Sequence, residues 1–237
     1  MPHLNYLWRP KFRGRPLLIA GFPGIASVGK ITLEQLIRSL KAELFLELYS
    51  EYLPEWAVKR EDGVLGGIGA NFYYSCPEGV ELILLTSDAQ AITPYGQYML
   101  TEQILEIAQE MGVQSVITAA AYVLAARERR EKVVGAATTE GATERLRRLG
   151  VEILEGGVIV GMNGLLPCLS QLRGMEGICL LGTTRGGLVD VEAAKAVLRV
   201  LAKMINVKIS LENMDERFSL PPFIQFEFPR EESEYIR

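Results

Sequence analysis

Residues 17–40 constrain the chain most. Leu17-Leu18-Ile19-Ala20 is followed by Gly21-Phe22-Pro23-Gly24-Ile25-Ala26-Ser27-Val28-Gly29-Lys30, and then by a helical pattern. Four consecutive apolar residues suit a strand buried on both faces. Gly21, Pro23 and Gly24 end the extended run and turn the chain. Ser27 is placed to cap the helix. Val28, Ile31, Leu36, Ile37 and Leu40 recur at helical spacing, which predicts one apolar stripe laid on a sheet. Strand, glycine loop and helix in that order open a parallel α/β domain.

The same stretch nearly matches the phosphate-binding loop G-x-x-x-x-G-K-[ST], from Gly24 to Lys30. Position 31 is Ile, so the hydroxyl that would hold Mg²⁺ is absent. Thr32 comes one residue late, and one helical step turns its side chain about 100° away. The loop therefore reads as a tight strand-to-helix turn with Lys30 in solvent. No nucleotide, metal or other cofactor is expected.

Downstream, apolar runs alternate with helical patterns. Strands are expected over residues 42–49, 115–121, 133–137, 151–154 and 178–181. Residues 68–75 and 80–86 read as an antiparallel hairpin around Pro77-Glu78-Gly79. Helices are expected from Pro94 to a stop at Gly112, from a Thr139 cap to Gly150, over 165–172 after a 161–164 loop, and after an Asp190 cap. Strands alternating with helices of this length mean a mainly parallel sheet covered on both faces. Residues 1–16 read as an edge segment. Residues 1–207 are expected to form this α/β domain.

Residues 208–237 form a C-terminal extension of different character, with seven acidic and four basic side chains. After Pro221-Pro222, the run Phe223-Ile224-Gln225-Phe226-Glu227-Phe228 needs a surface to cover it, on this chain or a neighbour. The last residues, 231–237, are nearly all polar or charged and should stay accessible. Two aromatic-rich segments, 52–56 and 71–74, carry more apolar surface than water tolerates well, and predict a self-association contact.

Composition excludes several function classes. Net charge is −4 over 237 residues without a long basic run, so nucleic acid is not an expected partner. The run 127–132 mixes both signs and reads as a solvated face. No apolar run approaches a membrane span, and the N-terminus lacks a secretory pattern. Cys76, Cys168 and Cys179 are expected to be buried, reduced thiols, which points to the cytoplasm. His3 is the single histidine, which leaves Ser-His and Cys-His chemistry without a base in the folded body. Ligand sites in α/β folds lie at the carboxyl ends of parallel strands. Gly24, Asp88, Glu140, Asn163 and Arg185 are the possible ligand-loop residues there, with Asp88, Glu140 and Arg185 as acid, base and anion clamp. Capping and turn formation account for the same residue types without catalysis. No catalytic residue is assigned.

Four segments together resemble the proteasome-assembly chaperone family. They are Gly21-Phe22-Pro23-Gly24 with Val28-Gly29; Gly161-Met162-Asn163-Gly164-Leu165-Leu166; Leu181-Gly182-Thr183-Thr184 with Gly186 and Asp190; and the helix over 191–206 leading into Ile209-Ser210-Leu211. The resemblance implies a three-layer α/β/α sandwich of the phosphorylase/hydrolase-like kind, homo-oligomers, and a non-enzymatic role on the proteasome α-ring. Some family members dock through a hydrophobic–Tyr–any-residue terminus. This chain ends Glu234-Tyr235-Ile236-Arg237, so its tyrosine is third from last. Tyr235, Ile236 and Arg237 are the partner-binding residues this implies, in a looser version of that motif. The competing reading is a small-molecule enzyme of the phosphorylase or hydrolase type. It requires several of the ligand-loop residues to converge in one concave site.

Overall fold

A nine-stranded sheet grows outward from the first apolar run. The structure, a computed structural model, describes residues 2–59, 62–123 and 132–218. In chain order these form β1 (His3–Tyr6), β2 (Leu17–Gly21), α1 (Val28–Ser39), β3 (Glu43–Tyr49), β4 (Ala57–Lys59), β5 (Leu65–Gly67), β6 (Ala70–Ser75) and β7 (Leu82–Ser87). The chain continues through α2 (Pro94–Glu110), β8 (Ser115–Val123), β9 (Val133–Ala137), α3 (Glu140–Arg148), β10 (Glu152–Ile153), α4 (Met162–Ser170), β11 (Glu176–Thr184), α5 (Val191–Ile205) and α6 (Met214–Arg217). The strand order is β1-β3-β6-β7-β2-β8-β11-β9-β10, and among the described residues β4 pairs only with β5.

β2 sits at the centre, parallel to both β7 and β8, and β11 continues that parallel block beside β8. Side chains alternate across it. Ile19 joins one core with α1, α3 and α5, while Leu18 and Ala20 join the other with α2 and α4. These are the two helical layers of an α/β/α sandwich. Both flanks run against the block. β6 is antiparallel to β7, β3 to β6, and β1 to β3. On the far side β9 is antiparallel to β11, and β10 lies parallel to β9. The sheet is thus mixed, parallel at the centre.

Several local expectations are corrected. Ser27 makes no capping bond. It and Ala26 both sit at positive φ (51° and 49°), so the hydroxyl does not face the helix start. Cys76 and Cys168 are exposed, and only Cys179 is buried. The predicted 161–164 loop already contains the first turn of α4, which starts at Met162. Residues 71–74 are no exposed patch. They lie inside β6 between β3 and β7, with Phe72 fully buried. Thr93, Thr139 and Asp190 do cap α2, α3 and α5. Residues 210–217 lie along α1 and α5: Gln35 donates to the Ser210 carbonyl at 2.6 Å, and Met214 is fully buried. Of the charged run 127–132 only Lys132 is among the described residues. The Phe-rich segment and the chain terminus, including Tyr235, Ile236 and Arg237, lie outside them.

Candidate functional site

The glycine loop after β2 is held on three sides, and that bracing defines the site. Asn163, in the first turn of α4, treats Phe22 as a paired strand would. Its Oδ1 accepts from the Phe22 N–H at 3.1 Å, and its Nδ2 donates to the Phe22 carbonyl at 3.3 Å. The Asn163 carbonyl in turn accepts from Thr118 Oγ1 of β8 at 2.5 Å. Gln90 makes a second staple. Its Nε2 donates to the Pro23 carbonyl, and its Oε1 accepts from the Met162 N–H at 2.8 Å. The Asp190 N–H donates to the Ala26 carbonyl at 3.0 Å, which ties the loop to the start of α5. Buried polar groups left unpaired are costly, and here both side-chain amides are satisfied by backbone.

Lys30 is not in solvent, contrary to the sequence reading. It is 5 % exposed, with its Nζ bonded to Asp88 and 2.8 Å from Glu34 Oε1. Burial pulls its pKa down, but the two carboxylates together outweigh that and raise it above 10.5. The ammonium is thus charged and engaged by the two carboxylates. Thr32 donates its hydroxyl to the Val28 carbonyl at 2.8 Å inside α1, so it offers no metal ligand either. Nearby, burial and the Asp88 carboxylate push the Tyr73 phenol up. The one buried thiol, Cys179, is pushed up to about 11 by burial, which keeps it protonated and inert at neutral pH.

The five ligand-loop residues do not all share one cleft. Gly24 and Asn163 line one cleft of about 670 Å³, with Ala120, Tyr122, Val158 and Val160. Asp88 belongs to the Lys30 cluster. Arg185 is exposed after β11. Glu140 lies at the opposite end of the sheet. Because β9 is antiparallel to β11, its last residue, Ala137, pairs with Ile178 near the start of β11. The adjacent Thr139 donates to Glu176, the first residue of β11, at 3.1 Å. Among the described residues no group of three or more His, Cys, Asp or Glu is placed to hold a metal. Sequence reading missed Gln90 and the Lys30 cluster. The signal available was Gln90 two residues after the β7–Asp88 edge, at the strand end where loops meet. Its partners lie 67 and 72 residues away, which no local pattern reveals.

A mixed α/β/α sandwich with a side-chain-braced glycine loop is therefore the class of protein the site belongs to. The sequence matches the PAC2 family over residues 18–219. The chain belongs to that family, in agreement with the resemblance carried by the four segments. A proteasome activator of Pyrococcus furiosus, PbaB, superposes with a TM-score of 0.84 at 35 % identity, over 91 % of this chain and 93 % of that one. PbaA of the same organism, described as a homolog of proteasome-assembly chaperone, superposes with a TM-score of 0.77 at 25 % identity, over 94 % and 88 % of the two chains. An uncharacterised protein of Methanocaldococcus jannaschii is 37 % identical over 202 residues, covering 85 % of this chain and 78 % of its own length.

Proposed function

We propose that this protein is a non-enzymatic, homo-oligomeric adaptor of the proteasome, acting in the cytoplasm in assembly or activation through the α-subunits. The observation that carries this reading is the near full-length likeness to the Pyrococcus furiosus proteasome activator. The site geometry supports it. The loop that would have to hold a substrate spends its polar partners on its own backbone, Asp88 is paired with Lys30, and Glu140 lies at the opposite end of the sheet. No observation favours the enzyme reading. Among the described residues no helix is long and apolar enough to cross a membrane.

The docking element in this reading is the chain terminus, with Tyr235 and Ile236 as an aromatic–aliphatic anchor. A pulldown with proteasome α-subunits tests it, comparing the intact chain with one lacking residues 231–237. The expected result is capture by the intact chain and weaker capture by the shortened one, at unchanged thermal stability and oligomer size. Equal capture by both removes the terminus as the docking element. No capture by either removes the reading.

A further inference from the structure

Among the described residues, no charged side chain lines the cleft beside the glycine loop, in a chain that is 23 % charged. Five residues around it, Ile25, Tyr122, Val123, Val158 and Val160, leave large apolar or aromatic side chains exposed. Exposed apolar side chains gathered in this way mark contact sites. The amide side chains of the cleft are already spent. Asn163, Gln90 and Gln97 donate to the backbone carbonyls of Phe22, Pro23 and Ala91. That leaves little to orient a small polar ligand.

One wall of the cleft offers backbone instead. From Glu155 to Val160 no backbone N–H or carbonyl is hydrogen-bonded to another described residue. A run with free main-chain groups and no turn is the kind of edge that takes up an added strand. Its side chains alternate as a strand's do. Ile159 packs against the cluster of Ala120, Val134, Cys179 and Leu181, while Val158 and Val160 are 87 % and 84 % exposed. Ile159 also holds the run in place, because its carbonyl lies only 2.4 Å from where a Cβ on Gly164 of α4 would stand. Gly156 and Gly157 border open space, with nothing within 4 Å of a Cβ built on either, so another backbone can approach closely. Exposed edges are commonly guarded by charge or proline. Residues 156–160, Gly-Gly-Val-Ile-Val, carry neither.

We propose that residues 156–160 and the cleft beside them receive an extended, uncharged apolar segment of a partner protein, added as a strand. Main-chain hydrogen bonds to 156–160 supply the pairing, which only an extended backbone can complete. Alternate side chains of the incoming segment enter the cleft, where the uncharged lining selects against charge. This goes beyond the adaptor reading and does not depend on any proteasome contact.

Amide hydrogen exchange in the full-length protein tests it, read by mass spectrometry. The probe is a capped seven-residue peptide of alternating valine and threonine. Fast exchange is expected over 155–160 in the protein alone, and at least tenfold slower exchange with saturating probe. The same probe N-methylated at alternate residues keeps its side chains but lacks the donors, and should give no protection. A probe with lysine and glutamate in place of valine should give none either. By fluorescence anisotropy, Val158→Asp with Val160→Asp should weaken binding of the plain probe at least tenfold. Ile25→Asp gives a second disruption should the double variant unfold by circular dichroism. Leu172→Glu, which removes an exposed apolar side chain beyond the far end of α4, should leave binding unchanged. Slow exchange over 155–160 before any probe is added would overturn the proposal, since this chain or a second copy would already hold the segment. No protection by the plain probe, or equal protection by the N-methylated one, equally rules it out.

Discussion

At the scale of single residues, two buried polar side chains set the loop. Replacing Asn163 by Leu removes both bonds to Phe22 and leaves a buried N–H and C=O without partners. The cost is expected to be about 2–3 kcal/mol. For a domain of this length that lowers the melting temperature by about 4–12 °C, readable by calorimetry. Lys30→Met is expected to cost less, about 1–2 kcal/mol. The Asp88 and Glu34 side chains it leaves behind are 58 % and 33 % exposed and regain water, unlike the partners of a fully buried pair. Its pH dependence has a definite sign. The folded pKa of Lys30 is raised above 10.5, so the wild-type advantage is fully present below that value and is lost as pH climbs through the folded pKa. Urea unfolding of both proteins at about pH 8 and about pH 11.5 checks this. A difference that grows at the higher pH contradicts the assignment. Neither role was legible in the sequence. Lys30 looked like a solvent lysine because its near-match to a phosphate loop is local, whereas Asp88 lies 58 residues on.

At the scale of elements, the same glycine that completes the near-match has a packing role. A Cβ on Gly29 would lie 2.4 Å from the Ala119 carbonyl of β8, so α1 can rest on the sheet only with glycine there. Gly177 of β11 is tighter still, with 1.9 Å to the Pro167 carbonyl of α4. Backbone cannot step aside as a flexible side chain does. Gly177→Ala is therefore expected to cost about 3 kcal/mol, at the top of the usual overpacking range, in a denaturant titration. A loss under about 1 kcal/mol, the low end of that range, would show that α4 shifts freely. Strands and helices were mostly readable, because apolar runs and caps such as Thr139 and Asp190 act within a few residues. The direction of β9 was not. Its alternation is the same in either orientation, and only its place beside β11 decides which end Glu140 reaches. The small β4–β5 pair was also missed, since its strands are only three residues each and are mostly exposed.

At the scale of the whole molecule, the apolar surface of the loop after β3 and of the β4–β5 pair remains in water. Trp56, Val64 and Leu65 are 48 %, 52 % and 69 % exposed. With residues 71–74 inside the sheet, 52–56 is the remaining segment that the sequence marked for self-association; Leu53 is buried there and Trp56 exposed, and the adjoining β4–β5 pair adds apolar surface that the sequence reading did not mark. A closed, symmetric oligomer is expected in light scattering at tens of micromolar, and Trp56→Glu with Leu65→Glu should shift it toward monomer. A monomer in the unaltered protein refutes the contact. The layered fold and the family were legible because they rest on ordered segments spread over most of the chain. The convergence of the candidate site was not, because it depends on which loops share an end of the sheet.

The central position of β2 also shapes how the chain is born. Its partner β8 begins about a hundred residues later, so at about 5–20 residues per second β2 waits some 5–20 s on the ribosome for that neighbour. β7 arrives earlier and covers one edge. Until Ser115 and its successors emerge, the other edge of this apolar strand stands open, and any nascent chain translated nearby offers it the same pairing. The order of synthesis, more than the final stability, then sets when this protein is most exposed to aggregation.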